Sequence, residues 1–334
     1  MINGRHVTSG WHFVKHYFRE VRPYEVTAQL WNVCDQRCVY CRCPAVSTAT
    51  LTTAQWCEAL RGLAKLGTLR VKFQGGEPTL RPDFRDISQA ARGAGMLTAT
   101  VTNGRASAAD PRLLDFMDEV VVSLDSLRPE VNDRQRGTGA FAAATRTIDI
   151  ALERRLKTYV NMALTRHNLE DLEAMLEFCE RKGMKMNAQS IKFGVLYYDE
   201  AARQMALTPD QIREVHRKLA EWSRQRRAVL FSARAYRKVL SWPDPCVNTV
   251  QSQGDSQCVA GDCYVHINPN GDVVPCIPAT TGITPKNIVK DGLTEALKHT
   301  RRHHCGDCWS AYLNERKLLF GLHPAALVEF LRRG

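Results

Sequence analysis

Three cysteines share one short stretch, Cys34-Asp35-Gln36-Arg37-Cys38-Val39-Tyr40-Cys41, and make a CxxxCxxC array. Three thiolates on one compact loop can hold three irons of a [4Fe–4S] cube and leave the fourth iron open to another ligand. Structural zinc takes four ligands in paired spacings, which this triplet fits poorly, so zinc is the alternative reading. Cys43 is two residues further on and is left outside the set, because a catalytic metal needs an open position. A second group lies near the C-terminus: Cys258, Cys276 and a Cys305-x2-Cys308 pair, with Cys246 and Cys263 close by. Asn270-Gly271 between two short apolar runs signals a hairpin, which would bring Cys258 and Cys276 to one end. The CxxC pair would complete a four-thiolate site, iron–sulfur or, as the alternative, a zinc ribbon. Cys57 and Cys179 fall in helix-like segments and read as small buried hydrophobes.

The elements that must position these groups follow from pattern. Strands at 26–33, 69–74, 97–102, 119–125, 157–164 and 186–196 alternate with helices at 53–66, 84–92, 111–117, 140–155 and 169–182. That alternation predicts an α/β fold with a parallel sheet and right-handed crossovers. It places the first cysteine loop directly after the first strand, at the strand end where function concentrates. Residues 1–25 read as a basic, aromatic lead-in, 26–200 as the α/β unit, 201–245 as a helical connector, 246–309 as a short-stranded unit and 310–334 as a terminal helix.

Composition excludes other classes. The chain has 334 residues, 44% hydrophobic and 24% charged, which is globular rather than disordered. No apolar run approaches the roughly 18 residues of a membrane helix, and the start lacks a secretory pattern. A cytoplasmic location is expected, and there twelve cysteines are metal ligands more readily than disulfides. The net charge is +11, and nine Lys/Arg against two Glu fall within 213–238. These read as a solvated helix face, and without an accompanying motif no nucleic-acid partner is expected.

The CxxxCxxC array with Tyr40 before its third cysteine resembles the radical S-adenosylmethionine (radical SAM) superfamily. Gln74-Gly75-Gly76-Glu77-Pro78 at the second strand end resembles its GGEP motif, and Thr102-Asn103-Gly104 and Ser123-Leu124-Asp125-Ser126 resemble its polar ends of strands three and four. Arg136-Gly137-x-Gly139-x-Phe141 resembles its R-G-x-G-x-F segment. The resemblance implies a partial (β/α)6 TIM-like barrel over 26–200. It assigns Cys34, Cys38 and Cys41 to the open cluster. Tyr40, Gly75, Gly76, Glu77, Pro78, Asn103, Ser123, Asp125 and Arg136 would contact S-adenosylmethionine, with Glu77 on its ammonium and Arg136 on its carboxylate. The spacing Cys258-x12-Gly271-x4-Cys276, then Cys305-x2-Cys308, resembles the twitch form of the SPASM extension, a small α+β subdomain. It implies one auxiliary [4Fe–4S] cluster and is most similar to the aminocyclitol dehydrogenase branch.

The implied chemistry is hydrogen abstraction by a 5′-deoxyadenosyl radical, fed by an external one-electron reductant such as flavodoxin or ferredoxin. Oxidation or epimerisation would follow, the latter with Cys263 or Cys246 as hydrogen donor. Tyr197, Tyr198 and Asp199 at the sixth strand end are candidate pocket residues. A small sugar, aminocyclitol or nucleotide-linked substrate is favoured, since about 25 residues before the first strand are few for a leader-binding domain. Maturation of a ribosomal peptide is the main alternative. A molybdopterin-precursor cyclase would expect a different cysteine spacing. A zinc scaffold or electron-transfer protein would leave the strand-end motifs unexplained.

Overall fold

Each strand of the main sheet presents an apolar side to a layer of helices, and that packing selects the strand register. The computed structural model describes residues 23–191, 193, 199–242, 258–276, 284–301, 308 and 310–333. Six parallel strands run side by side in chain order: β1 (Glu25–Gln29), β2 (Arg70–Gln74), β3 (Leu97–Thr102), β4 (Glu119–Ser123), β5 (Lys157–Leu164) and β6 (Lys185–Ser190). Between them lie α1 (Thr53–Leu66), α2 (Phe84–Gly93), α3 (Arg105–Ala109), α4 (Pro129–Arg136), α5 (Ala140–Glu153) and α6 (Leu172–Arg181). Val26, Ala28, Val71, Phe73, Val120 and Val160 pack outward against Trp56, Leu60, Ile87, Ile148 and Leu176 of these helices, in one continuous core. Arg70 on β2 reaches across β3 to bond Glu119 on β4 at 2.7 Å, so the opposite side of the sheet is concave. The six-strand array is the partial barrel expected from the alternation.

The remaining helices are α7 (Pro209–Gln225), α8 (Ala233–Leu240), α9 (Leu293–Thr300), α10 (Ala311–Phe320) and α11 (Pro324–Arg333). The hairpin is present as β7 (Tyr264–Ile267) and β8 (Asp272–Val274), with β9 (Lys286–Asn287) beyond. Gly271 takes φ +91 in its turn, a backbone that L side chains rarely adopt. The hairpin does not stand apart from the barrel. Strand β7 pairs parallel with β1, and the nine strands form one sheet.

Local chemistry fixes several ends. Thr52 and Gln55 form a capping box at α1, and Gly67 closes it in the left-handed region. Thr208 and Gln211 do the same for α7, with Pro209 in its first turn. The first strand ends at Gln29 rather than 33, because Trp31 and Val33 accept hydrogen bonds from Gly76 and Glu77 of the neighbouring loop. The helix expected at 111–117 is a 3₁₀ turn, Pro111–Leu114, while α3 and α4 were not expected. Cys179 is buried as anticipated, but Cys57 is only partly buried against the core. Among the described residues no helix is long and apolar enough to cross a membrane.

Candidate active site

The loop after β1 gathers the first three cysteines. The Gln36 N–H points at Cys34 Sγ (3.4 Å) and the Cys43 N–H at Cys41 Sγ (3.5 Å). Cys41 N donates to Cys38 O at 3.0 Å, which tightens the turn. Burial pushes the Cys34 thiol up to about 11 and the Cys38 thiol up to about 12. Removing those protons therefore requires a strong local cation, as ligated iron would be. Among the described residues no three His, Cys, Asp or Glu side chains converge as one ion would need. A four-iron cube sets its cysteines further apart than a single ion does. Gln36 Nε2 and Arg136 Nε are buried donors without a protein partner. A three-thiol loop with spare donors fits a cluster and an anionic co-ligand. The Cys43 thiol is directed elsewhere: it is buried and points at Asn32 Oδ1 at 3.7 Å.

The Gln74–Pro78 loop locks onto that loop's base. A Cβ on Gly75 would lie 2.2 Å from Trp31 O, and one on Gly76 would lie 2.2 Å from Val33 O. The two glycines are thus required by backbone contact with the residues leading into Cys34. Trp31 Nε1 also donates to Glu77 O at 2.7 Å. Glu77, expected on the cofactor's ammonium, is buried, and its carboxylate already accepts from several protein donors. Oε2 accepts from Asn103 N at 2.6 Å, and Oε1 accepts from Thr102 Oγ1 at 2.9 Å and from the backbone and hydroxyl of Thr79. Burial raises its pKa against the pull of these bonds. Pro78 is buried in the 3₁₀ turn that follows. Asn103 Nδ2 bridges back to Asp35 Oδ1 (2.7 Å) and Cys34 Sγ (3.7 Å).

A second polar knot closes the other side. Tyr40 Oη donates to Asp125 Oδ2 at 2.6 Å, and Arg136 Nη1 reaches Asp125 Oδ1 (3.0 Å) and Tyr40 Oη (2.6 Å). All three residues are buried, and Ala163 N adds a bond to Asp125 Oδ1 at 2.9 Å. Arg136 thus spends one guanidinium nitrogen, Nη1, on this knot. Ser123 is buried at the end of β4. Asp199 N donates to Tyr40 O at 3.1 Å, which brings the expected pocket residue Asp199 to the cysteine loop. Tyr197 and Tyr198 lie outside the described residues.

The second cysteine group forms at the opposite strand ends. Cys258 and Cys308 pack against a small core of Ala260, Tyr264, Cys276 and Leu313. The backbone N–H at i+2 again points at sulfur: Ala260 N to Cys258 Sγ at 3.5 Å and Ser310 N to Cys308 Sγ at 3.4 Å. Such N–H···S contacts stabilise ligating thiolates. Cys305 and Cys246 lie outside the described residues. Cys263 is buried in the turn just before β7, where its carbonyl accepts from Glu25 N.

The residues missed in the sequence line the concave face. Glu25 bonds Arg70 (2.5 Å) and Arg316 (2.9 Å) and accepts from Tyr312 Oη. Burial pushes the Glu25 carboxyl up, but Arg316, Arg70 and Lys72 override it and hold it well below the carboxylate range. Tyr264 Oη and Thr27 Oγ1 are 3.0 Å apart, and so are His266 Nε2 and Gln29 Oε1. One signal was available. Parallel strands buried on both faces read as continuous apolar runs, whereas RVKFQ and KTYVNMAL alternate.

A partial barrel with a cysteine triplet on its first loop defines a radical SAM fold, and the chain belongs to the radical SAM superfamily. The family model matches residues 29–179. Membership carries S-adenosylmethionine and a [4Fe–4S] cluster as cofactors. Among its relatives, the PqqA peptide cyclase of Ruegeria pomeroyi is 30% identical over 276 residues, covering 78% of this chain and 69% of that protein. The PqqA peptide cyclase of Xanthomonas campestris is 27% identical over 304 residues, covering 83% and 74%. In fold the chain is similar to Streptococcus suis SuiB bound to precursor peptide SuiA (TM-score 0.62, 18% identity, 87% of this chain and 68% of that one). It is also similar to anSMEcpe with bound AdoMet (TM-score 0.63, 14% identity, 92% and 98%). These relatives overturn the preference for a small-molecule substrate and the aminocyclitol dehydrogenase placement, because the chain's 30% relative is a peptide cyclase. Cysteine spacing reports how a cluster is held, and that is shared across substrate classes.

Proposed function

We propose that the protein is a radical SAM enzyme that modifies a peptide, joining two of its residues by a new bond. The observation that carries this reading is the 30% identity to a PqqA peptide cyclase across 69% of that relative's length. Cys34, Cys38 and Cys41 would hold the cluster with one open iron. Tyr40, Gly75, Gly76, Glu77, Pro78, Asn103, Ser123, Asp125 and Arg136 would form the cradle of S-adenosylmethionine. Given the knots described above, Glu77 and Asp125 would shape that cradle, and the spare buried donors of Gln36 and Arg136 would be left for the ligands. When bound, the cofactor pair supplies a 5′-deoxyadenosyl radical that removes one hydrogen atom from the substrate. Bond formation then releases a second hydrogen as a proton, and its electron needs an acceptor. Residues 246–309, as a twitch module with Cys258, Cys276, Cys305 and Cys308 around an auxiliary [4Fe–4S] cluster, would supply that acceptor. Flavodoxin or ferredoxin would supply the reducing electron.

The test is anaerobic incubation of the reconstituted enzyme with S-adenosylmethionine, a one-electron reductant and short peptides encoded beside its gene. The expected result is 5′-deoxyadenosine and a peptide lighter by two hydrogen atoms. Turnover of an aminocyclitol with every peptide left unaltered would refute the reading.

A further inference from the structure

Solvent reaches the concave face of the sheet. Along β2, β5 and β6 the residues alternate between fully buried and partly accessible. The accessible set includes Lys72, Gln74, Asn161 and Asn187, all on the side opposite the helix-packed residues. Lys72 stands apart within this polar surface. Arg70 is paired with Glu25 and Glu119, and Arg316 with Glu25. Three cations thus face two carboxylates, and both carboxylates are taken. Lys72 Nζ has no carboxylate within ion-pair distance among the described residues and meets only the ring of Tyr312, 4.2 Å from its centroid. Lys72 acts on Glu25 only at a distance, since the direct ion pairs of both carboxylates are made by Arg70 and Arg316.

Its place in the fold suits a ligand. Lys72 is two residues before Gln74, roughly 10 Å along the strand from the start of the Gly75-Gly76-Glu77 loop. On its other side Tyr312 packs edge-on against Tyr264, 5.8 Å between centroids, and both belong to the small cluster around Cys258, Cys276 and Cys308. A group held at Lys72 lies between the two cysteine sites.

We propose that Lys72 is the anchoring cation of a subsite on the concave face that takes a carboxylate of the peptide substrate, from an acidic side chain or from the C-terminus. This rests on the peptide reading above. An incoming carboxylate would complete the charge pairing of the face, and Gln74, two residues on along the same side of β2, offers a neutral hydrogen bond. The amine is poised to respond. Burial, joined by the push of Arg70 and Arg316, outweighs the pull of Glu25 and Glu119 and moves it down to about 7. The other titratable groups facing this region are Tyr159 on β5, Tyr264 and His266 on β7 and Tyr312 on α10. Burial keeps the tyrosines protonated and the imidazole neutral near pH 7. The amine is thus the one whose charge a bound carboxylate would reset.

The experiment is trace acetylation of the reconstituted holoenzyme with acetic anhydride at pH 7, with Lys72 labelling read by mass spectrometry. Four probes are compared at equal concentration: N-acetylglutamate α-amide, N-acetylalanine, N-acetylglutamine amide and glutarate. The neutral amide is expected to leave labelling unchanged. At least one of the two amino-acid carboxylates is expected to lower it about fivefold or more. Protection by the first points to an acidic side chain, and protection by the second to a C-terminus. Equal labelling with all four probes overturns the subsite and leaves the peptide reading to its own mass test. Protection by glutarate alone overturns the peptide part of the proposal and counts against the peptide reading itself.

Discussion

The two cysteine sites are built in opposite ways. The first lies on one loop of eight residues, braced by Glu77 from β2, Asn103 from β3 and the Asp125–Arg136 pair. The second draws on segments at 258, 276 and 308 that meet only through the hairpin and the start of α10. A site made from one loop depends on the few polar contacts that fix that loop. A site made from distant segments depends on the sheet continuing from β1 into β7 and β8. The concave face lies between them, and its charges come from β1, β2, β4 and α10.

The sharpest way to break this comparison is to remove one ligand from each site. Cys34→Ser is expected to bring 5′-deoxyadenosine formation to background. Cys276→Ser is expected to keep cofactor cleavage while losing the lighter peptide, with both read by chromatography and mass spectrometry. Equal losses in the two variants would show that the sites are not separable. A smaller effect is expected at the brace. Arg136→Met strips the buried Asp125 of its partner and should cost about 3–5 kcal/mol of unfolding free energy by denaturant titration. It should also lower iron content more than Cys276→Ser affects the first cluster.

The smallest effect concerns Lys72. Its amine is moved from 10.5 down to about 7, so between those values the unfolded chain binds the extra proton. Stability therefore rises with pH across that window, and the full cost of the buried ammonium is present below about 7. Lys72→Met is expected to raise the melting temperature by about 2–4 °C at pH 6 relative to wild type and by little near pH 10. A uniform loss at both values would mean that the ammonium is a structural partner.

The same contrast explains what was legible in the sequence. The strand and helix alternation, the hairpin at Asn270-Gly271 and the one-loop cysteine site are written in adjacent residues. The protein partners of Glu77 and Asp125 were harder to read, because residue type shows a carboxylate but not the donors it meets. The concave face was missed altogether, since Glu25 and Tyr312 are 287 positions apart and alternate strand residues meet only in the curled sheet. Substrate class was misjudged for a different reason. The cysteine spacing describes only how clusters would be held, and it carries no mark of the substrate.

We propose that two distinct cysteine sites, one at each end of the concave face, each hold a four-iron cluster. The most direct test is the iron, sulfide and zinc content of the anaerobically reconstituted chain, beside a variant with Cys34, Cys38 and Cys41 all changed to Ser. Wild type is predicted to carry roughly eight iron and eight sulfide per chain, and the variant roughly four of each. Tightly bound zinc in the variant, with no labile sulfide, would contradict the account.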